Sequence, residues 1–430
     1  MSLPEVLPTF HIRPTRGWIN DPNGLTRRDG RWHVFFQHNP LGPAHRRIHW
    51  GHVSSSDLVD WAEHPVAFGP QDGGPDEFGC WSGVFVDDDD TPAVVYSGVT
   101  DESGQSTVCL RTGSPDLLTW SDPVVVARTP EDAGVDIMRD PFVVEVDGRR
   151  WALVGAGLVD GSAAILLFDC ADLREWEFVE VWLTSADPVL GGAGTAQIWE
   201  CPQLVRVGSD AVLIVSLWYD GRLGDVIAAV GTLESDSGRP RFTPGTAQRA
   251  DLGRAFYAPQ AVADAGGDEG PLVFGWIRQD DQDPATRTVA GCLTLPRRLR
   301  VEGGHAHLIA DPATELIPVA EPVAYEAGEH ALPAHARIDV VGPARGGWVL
   351  SANRPAGTAS EGHTHVAAPL GVLETGARIW VDATTAEVYP GDARPPTTLR
   401  SGGGAWRLHV PGGAHVLVAE VLGARVEGLG

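Results

Sequence analysis

The sequence predicts an all-β fold, a five-bladed β-propeller followed by a C-terminal β-sandwich. Two repeats out of phase with each other carry that reading, together with the lack of any long amphipathic helical pattern. The first repeat is a short motif rich in proline or glycine, each time followed by strand-forming residues. It occurs as Asn20-Asp21-Pro22, Trp81-Ser82-Gly83, Arg139-Asp140-Pro141, Glu200-Cys201-Pro202 and Tyr257-Ala258-Pro259. Reading Asp21, Ser82, Asp140, Glu200 and Ala258 as one phase gives steps of 61, 58, 60 and 58 residues. A unit of that length suits four short antiparallel strands with generous loops, as in a propeller blade.

The elements follow in order. Strand runs centred near Phe36, Tyr96, Val154, Val215 and Phe274 keep the same beat. The second repeat, Asp-Leu-x-x-Trp, ends at Trp61, Trp120 and Trp176, which read as blade packing. The beat stops after Trp276 and Leu295-Pro296-Arg297-Arg298-Leu299, so the propeller is assigned residues 1–310. Residues 311–328, rich in Pro, Ala and Glu, read as a linker. Alternating stretches at Ala336–Val341, Gly347–Leu350, Ala377–Val381 and Ala414–Val421 then read as strands of a sandwich over 329–430. His363 and His365 lie there without a further close ligand in sequence and read as turn residues, not a metal site.

With 430 residues, 43% of them hydrophobic, the chain can bury a substantial core, and 52 Gly and 33 Pro supply its turns. A net charge of −25, with every basic residue an arginine, argues against nucleic acid and anionic membrane as partners and for a small or neutral one. Five scattered cysteines without a CxxC suggest reduced thiols. Met1 to Arg16 has neither a basic start nor an apolar stretch, and Ala211 to Trp218 is only strand length, so the expectation is a cytoplasmic protein with no membrane span. No phosphate loop or metal-ligand spacing is visible, and no cofactor is expected. The oligomeric state is not readable.

The innermost strands of propeller blades run beside the central axis, so side chains at one phase of different blades converge there. Asp21, Asp140 and Glu200 therefore share one pocket in this reading. Each motif taken singly is an ordinary turn or ion pair. Three acids brought together are costly, because like charges in a low-dielectric pocket repel. Two carboxyls about 5 Å apart are the equipment of a retaining glycosidase, one attacking the anomeric carbon and one protonating the leaving oxygen.

The motifs also resemble a family. Gly17-Trp18-Ile19-Asn20-Asp21-Pro22-Asn23-Gly24, Phe35-Phe36-Gln37-His38-Asn39-Pro40 and His49-Trp50-Gly51-His52, followed in order by Trp81-Ser82-Gly83, Arg139-Asp140-Pro141, Trp199-Glu200-Cys201-Pro202, Phe256-Tyr257-Ala258-Pro259-Gln260, Gly275-Trp276 and Leu295-Pro296-Arg297-Arg298-Leu299, resemble glycoside hydrolase family 32, the β-fructosidases that include invertases, inulinases and levanases. The resemblance implies a fructoside substrate, with Asp21 as nucleophile, Glu200 as general acid and base, and Asp140 as the transition-state stabiliser. It further implies that Asn20, Gln37, Ser82 and Arg139 bind sugar hydroxyls while Trp81, Tyr257 and Trp276 wall the pocket. Many relatives carry a tryptophan where this chain has His45, a serine at Val84 and an acid at Ala255, departures expected at the pocket rim that leave open whether sucrose, sucrose 6-phosphate or short fructo-oligosaccharides are taken. Arg46-Arg47 reads as a solvated loop pair. A fructosyltransferase would use the same acids. A non-catalytic carbohydrate-binding propeller would not need them, and an inverting relative on the same fold would hold its carboxyls about 6.5 to 9.5 Å apart.

Overall fold

A computed structural model describes residues 6–263, 269–279, 287–342, 344–353, 365–401, 404–423 and 426–427. Apart from one five-residue helix, Pro188–Gly192, and a short 3-10 turn, the described elements are strands. The first sheet holds β1 (Gly17–Arg28), β2 (Arg31–Asn39), β3 (His49–Ser55) and β4 (Trp61–Glu63). The second holds β5 (Gly79–Asp88), β6 (Thr91–Val99), β7 (Ser106–Thr112) and β8 (Val124–Ala127). The third holds β9 (Val135–Val146), β10 (Arg149–Leu158), β11 (Ala163–Asp169) and β12 (Glu177–Thr184). The fourth holds β13 (Ile198–Val207), β14 (Asp210–Tyr219), β15 (Arg222–Asp236) and β16 (Arg239–Arg249). The fifth is built on β17 (Phe256–Val262) and β18 (Leu272–Ile277). Of the strands that follow, β19 (Val289–Ala290) pairs in parallel with β1, whereas β20 (Cys292–Leu293), β21 (Arg297–Glu302) and β22 (His305–Ala310) complete the fifth sheet.

Local chemistry explains the strand order. Asp29-Gly30, Asp147-Gly148 and Asp220-Gly221 each place both residues at positive φ, the two-residue turn whose twist matches the flanking strands. Each sheet is thus an up-and-down run of neighbours in sequence. The innermost strands touch in a closed ring, β1 against β5, β5 against β9, β9 against β13, β13 against β17, and β17 back against β1. This is the β-propeller ring, whose radial repetition leaves the inner strands only short edges, protected at the axis. Side chains between neighbouring sheets form the core, such as Phe35, Trp50, Phe68 and Tyr96 between the first and second. The Asp-Leu-x-x-Trp repeat proves to be a turn: Asp57, Asp116 and Asp172 accept backbone N–H bonds through their side chains. Leu58, Leu117 and Leu173 are buried, and the Trp120 and Trp176 indoles donate to the Leu117 and Leu173 carbonyls.

The second domain packs two sheets face to face. One orders β23 (Val323–Tyr325), β32 (Val416–Glu420), β25 (His335–Val340), β28 (Arg378–Asp382), β29 (Thr385–Tyr389) and β30 (Thr397–Arg400). The other orders β24 (Gly328–Ala331), β31 (Trp406–Val410), β26 (Ala344–Asn353) and β27 (His365–Leu373). Trp348, Trp406 and Ile338 fill the space between them. The four sequence-predicted strands correspond to β25, β26, β28 and β32, but the expected linker already contains β23 and the turn Pro312–Leu316. A final strand, β33 (Val426–Glu427), leaves the sandwich to pair in parallel with β4 of the first sheet. His363 and the side chain of His365 lie outside the described residues.

The two domains share a buried ionic network. His11, fully buried, bonds Asp382 at 2.8 Å and Glu387 at 2.9 Å, both carried by the sandwich. Arg297 of the propeller meets the same Glu387 and, at 2.9 Å, Asp251. The Leu295 N–H and the Tyr389 hydroxyl also donate to Glu387, so its carboxylate is saturated. Phe10, Leu295, Ile317, Trp380 and Tyr389 surround the network with apolar contacts.

Candidate active site

Each inner strand breaks register at the repeated motif. The shifts fall between Ile19 and Pro22 in β1, Cys80 and Gly83 in β5, and Glu200 and Gln203 in β13, with a corresponding shift opposite Arg139-Asp140-Pro141 in β9 and between Tyr257 and Gln260 in β17. These are β-bulges, which twist a strand and re-aim its side chains. Asp140, Cys201 and Ala258 sit at positive φ of 62°, 47° and 44°, a strained setting for residues with a side chain. Their freed amides are captured around the ring: Asp140 N donates to Ser97, Cys201 N to Asp140, and Ala258 N to Ser216.

This corrects the phase taken from the sequence. The position equivalent to Asp21, Ser82 and Asp140 is Cys201, not Glu200. Glu200 belongs one residue earlier, with Asn20, Trp81, Arg139 and Tyr257. The bulge lets two adjacent residues both serve the axis, where a regular strand would send one of them to the opposite face.

The upper set meets around Glu200. Arg139 donates to Glu200 Oε1 at 2.8 Å and the Tyr257 hydroxyl donates to Oε2 at 2.5 Å. Gly155, opposite Arg139 in the sheet, lets the third and fourth sheets approach this closely: a Cβ there would lie 2.2 Å from the Trp199 carbonyl oxygen. The deeper set meets around Asp21. Its Oδ2 accepts from Gln37 Nε2 at 2.9 Å and Ser82 Oγ at 2.6 Å, and its Oδ1 from Asn20 Nδ2 at 3.1 Å. Cys201 Sγ bridges the two aspartates, 3.7 Å from Asp21 and 3.5 Å from Asp140.

Above them opens a cavity of about 500 Å³, lined by Asp21, Asp140, Glu200, Asn20, Gln37, Arg139, Trp81, Tyr257 and Trp276. Nine of the ten sequence-predicted site residues therefore face one space. The tenth, Ser82, is buried beneath the floor with Cys201 and bonds Asp21 and Gln37 rather than facing the cavity.

Residues not assigned beforehand also line the space, among them Trp18, Trp218, Ile137, Ile198 and the exposed loop residues Glu102 and Ser103. The loop follows no repeat, so only a structure reveals it. Trp18 packs edge-on to Trp276 at 5.7 Å and bonds Asn20, so it orients that amide.

Of the three expected rim departures only His45 reaches the cavity. Its ring lies edge-on between Trp18 and Trp81, at 6.3 and 5.4 Å, and its Nε2 is 3.3 Å from Gln37 Oε1. Val84 and Ala255 are core residues. Arg47 pairs with exposed Asp72 at 2.9 Å, away from the cavity.

Burial dominates the electrostatics. It pushes Asp21 up to about 6, with the Glu200 charge adding and hydrogen bonds from Ser82 and Asn20 opposing. It pushes Asp140 up to about 7, Glu200 again adding and Arg139 opposing. Burial and the neighbouring acids drive the Cys201 thiol well above its ordinary range, so it stays a neutral filler between them. Among the described residues no group of three His, Cys, Asp or Glu side chains could hold a metal ion, and no helix is long and apolar enough to cross a membrane.

Residues 11–312 match the profile described as the N-terminal domain of glycosyl hydrolases family 32. The chain is 34% identical over 306 residues to a raffinose invertase of Escherichia coli, covering 68% of this chain and 62% of that protein. It is 35% identical over 327 residues to a sucrose-6-phosphate hydrolase of Bacillus subtilis (strain 168), covering 71% and 65%. It thus spans just under two thirds of the length of these relatives. A solved GH32 β-fructofuranosidase of Bombyx mori superposes with a TM-score of 0.78 at 25% identity, covering 98% of this chain and 94% of that one.

Proposed function

The chain belongs to glycosyl hydrolase family 32, and from that premise we propose that it is a retaining β-fructofuranosidase that releases terminal fructose from sucrose or short fructo-oligosaccharides. The observation that carries this reading is the convergence of Asp21, Asp140 and Glu200 on one aromatic-walled cavity.

The hydrogen bonds divide the labour. Asp21 Oδ2 accepts from Gln37 and Ser82, and Oδ1 accepts from Asn20 alone among the described residues, so Oδ1 is the oxygen placed to attack. Ionised Asp21 adds to C2 of the fructofuranosyl ring as Glu200 gives its proton to the departing oxygen. The C2–O bond to the leaving sugar breaks and an ester to Asp21 forms. Glu200 then takes a proton from water, which attacks C2, expels Asp21 and releases fructose. Asp140 holds ring hydroxyls and opposes the positive charge that builds on the ring. Arg139 and Tyr257 keep the Glu200 carboxyl aimed at the bond being cleaved. Trp81 and Trp276 cover apolar ring faces. All five cysteines are buried and unpaired, which supports a reducing, cytoplasmic setting.

Incubating the purified protein with sucrose, sucrose 6-phosphate, inulin and levan and separating the products tests the reading. Free fructose is the expected product. Longer fructosylated sugars in its place would make the protein a transferase, and no turnover of any of the four would overturn the assignment.

A further inference from the structure

The cavity does not end at its own wall. Ile137, Ile198 and Trp218 also line a second groove of about 460 Å³, which continues over the rim between the third and fourth sheets. Ile137 lies two residues before Arg139 and Ile198 two residues before Glu200, on the same faces of β9 and β13, and Trp218 is the cross-strand partner of Ile198. The shared wall therefore adjoins Glu200, the group that protonates the leaving oxygen. The wall formed by Trp18, Asn20 and Trp276 has no part in it.

We infer that this groove binds the second and third sugar residues on the leaving-group side of a neutral oligosaccharide, so that the enzyme prefers short chains to a disaccharide. The inference rests on the proposed β-fructofuranosidase reading and extends it. The groove's composition fits that occupant. Trp218 offers a half-buried ring at the seam, held by the Arg139 guanidinium 5.8 Å from its centroid. Val159, 72% exposed on the turn after β10, presents an apolar surface to solvent. Leu158 extends that surface, and Gln197 and the carboxylate of Asp136 supply polar groups at its edge. An apolar strip edged by hydrogen-bonding groups suits a sugar ring, and with Asp136 the one ionisable side chain among the described residues that line it, the groove gives a phosphate no counter-charge. Continuity with the cavity supplies the direction: a chain whose scissile oxygen lies at Glu200 leads along Ile198 and Trp218 towards Val159.

The test compares kcat/KM for sucrose, the trisaccharide 1-kestose and the tetrasaccharide nystose in the wild-type enzyme and in Val159→Asp and Gln197→Ala. Wild-type kcat/KM should rise about tenfold from sucrose to the longer substrates, the size of one good apolar sugar contact. Val159→Asp should reduce that gain to less than about threefold and leave sucrose turnover unchanged, and Gln197→Ala should lower it in the same direction. A flat wild-type series overturns the inference, as does a variant that slows all three substrates equally, which is the mark of a structural role. Failure to release fructose from any substrate would overturn the function beneath it.

Discussion

Two clusters of buried carboxyls lie at opposite ends of this molecule's logic. Around the axis, Arg139 pairs with Glu200 and its charge also acts on Asp140, while Asp21 is held by the neutral side chains of Asn20, Gln37 and Ser82. At the domain interface, Asp382, Glu387 and Asp251 are met by His11, His335 and Arg297. Asp382 and Glu387 are nevertheless tuned in the direction opposite to Asp21 and Asp140, whereas burial leaves Asp251 raised, as on the axis. Burial holds Asp21 and Asp140 up at about 6 and 7. At Glu387 and Asp382 burial pushes the same way but is overruled: Arg297 and His11 bring Glu387 down to about 2, and Asp382 is likewise held below its ordinary range by His11 and His335. The interface spends its charges on holding two domains together. The axis leaves its charges undercompensated and available to a substrate.

Removing an acid should break this contrast most visibly in turnover. Asp21→Asn and Glu200→Gln are each expected to lower kcat by about a thousandfold or more with the fold intact. They should still differ. With an activated substrate whose leaving group needs no proton, Glu200→Gln accumulates a fructosyl-enzyme visible by mass spectrometry, and Asp21→Asn cannot. Near-normal rates in either variant would end the assignment.

Next in size is stability, where the two clusters should respond with opposite signs. Glu387→Gln leaves Arg297 and His11 buried without their shared anion and should destabilise by about 3 to 5 kcal/mol. Asp140→Asn removes an anion that the fold holds at a disadvantage and should stabilise by about 1 to 3 kcal/mol at pH 8. Thermal melts of the two variants read both signs, and a destabilised Asp140→Asn would show that the axis is held together like the interface.

The smallest effect is the pH dependence. Asp21 and Asp140 are raised from 3.8, so their contribution to stability is present below that value and lost as pH rises through about 6 and 7. Glu387 is lowered from 4.5, so its contribution is present above that value and lost as pH falls through about 2. His11, raised from 6.5 to about 10 by its carboxylate partners in spite of burial, contributes fully below 6.5 and less as pH rises through about 10. The Asp140→Asn advantage should therefore be near zero at pH 4 and full at pH 8, and kcat/KM should fall as pH drops through about 6, where Asp21 takes up a proton. Calorimetry and a pH–rate profile check the two limbs.

Much of the propeller could be read from the chain because each sheet is contiguous in sequence and its inner strand carries the same bulge, so a proline or glycine returns on a fixed beat. The nine cavity-lining residues followed from that beat together with the family resemblance. Glu200 was read one residue out of phase because the bulge breaks the two-residue alternation on which phase arguments rest. The resemblance names Ser82 among the hydroxyl-binding residues, and its place beneath the cavity floor was not legible because sequence distinguishes strands, not depth along the axis. The interface network left no trace: His11 and Asp382 are 371 residues apart and belong to no repeat. Neither did the Val159 groove, which depends on the spacing of two loops.

The parallel pairing of Val289–Ala290 with Gly17–Trp18 has its consequence in time. During synthesis the first sheet emerges well before its last neighbour exists. At about 5 to 20 residues per second, the roughly 270 residues between them take on the order of tens of seconds to appear. Until then the edge of β1 at Gly17 and Trp18 faces water unpaired, the kind of edge that invites association with another chain. The ring cannot close around its own axis sooner. Closure of so long a loop makes the propeller a slow folder, and the strand of Asp21 is the one that waits longest.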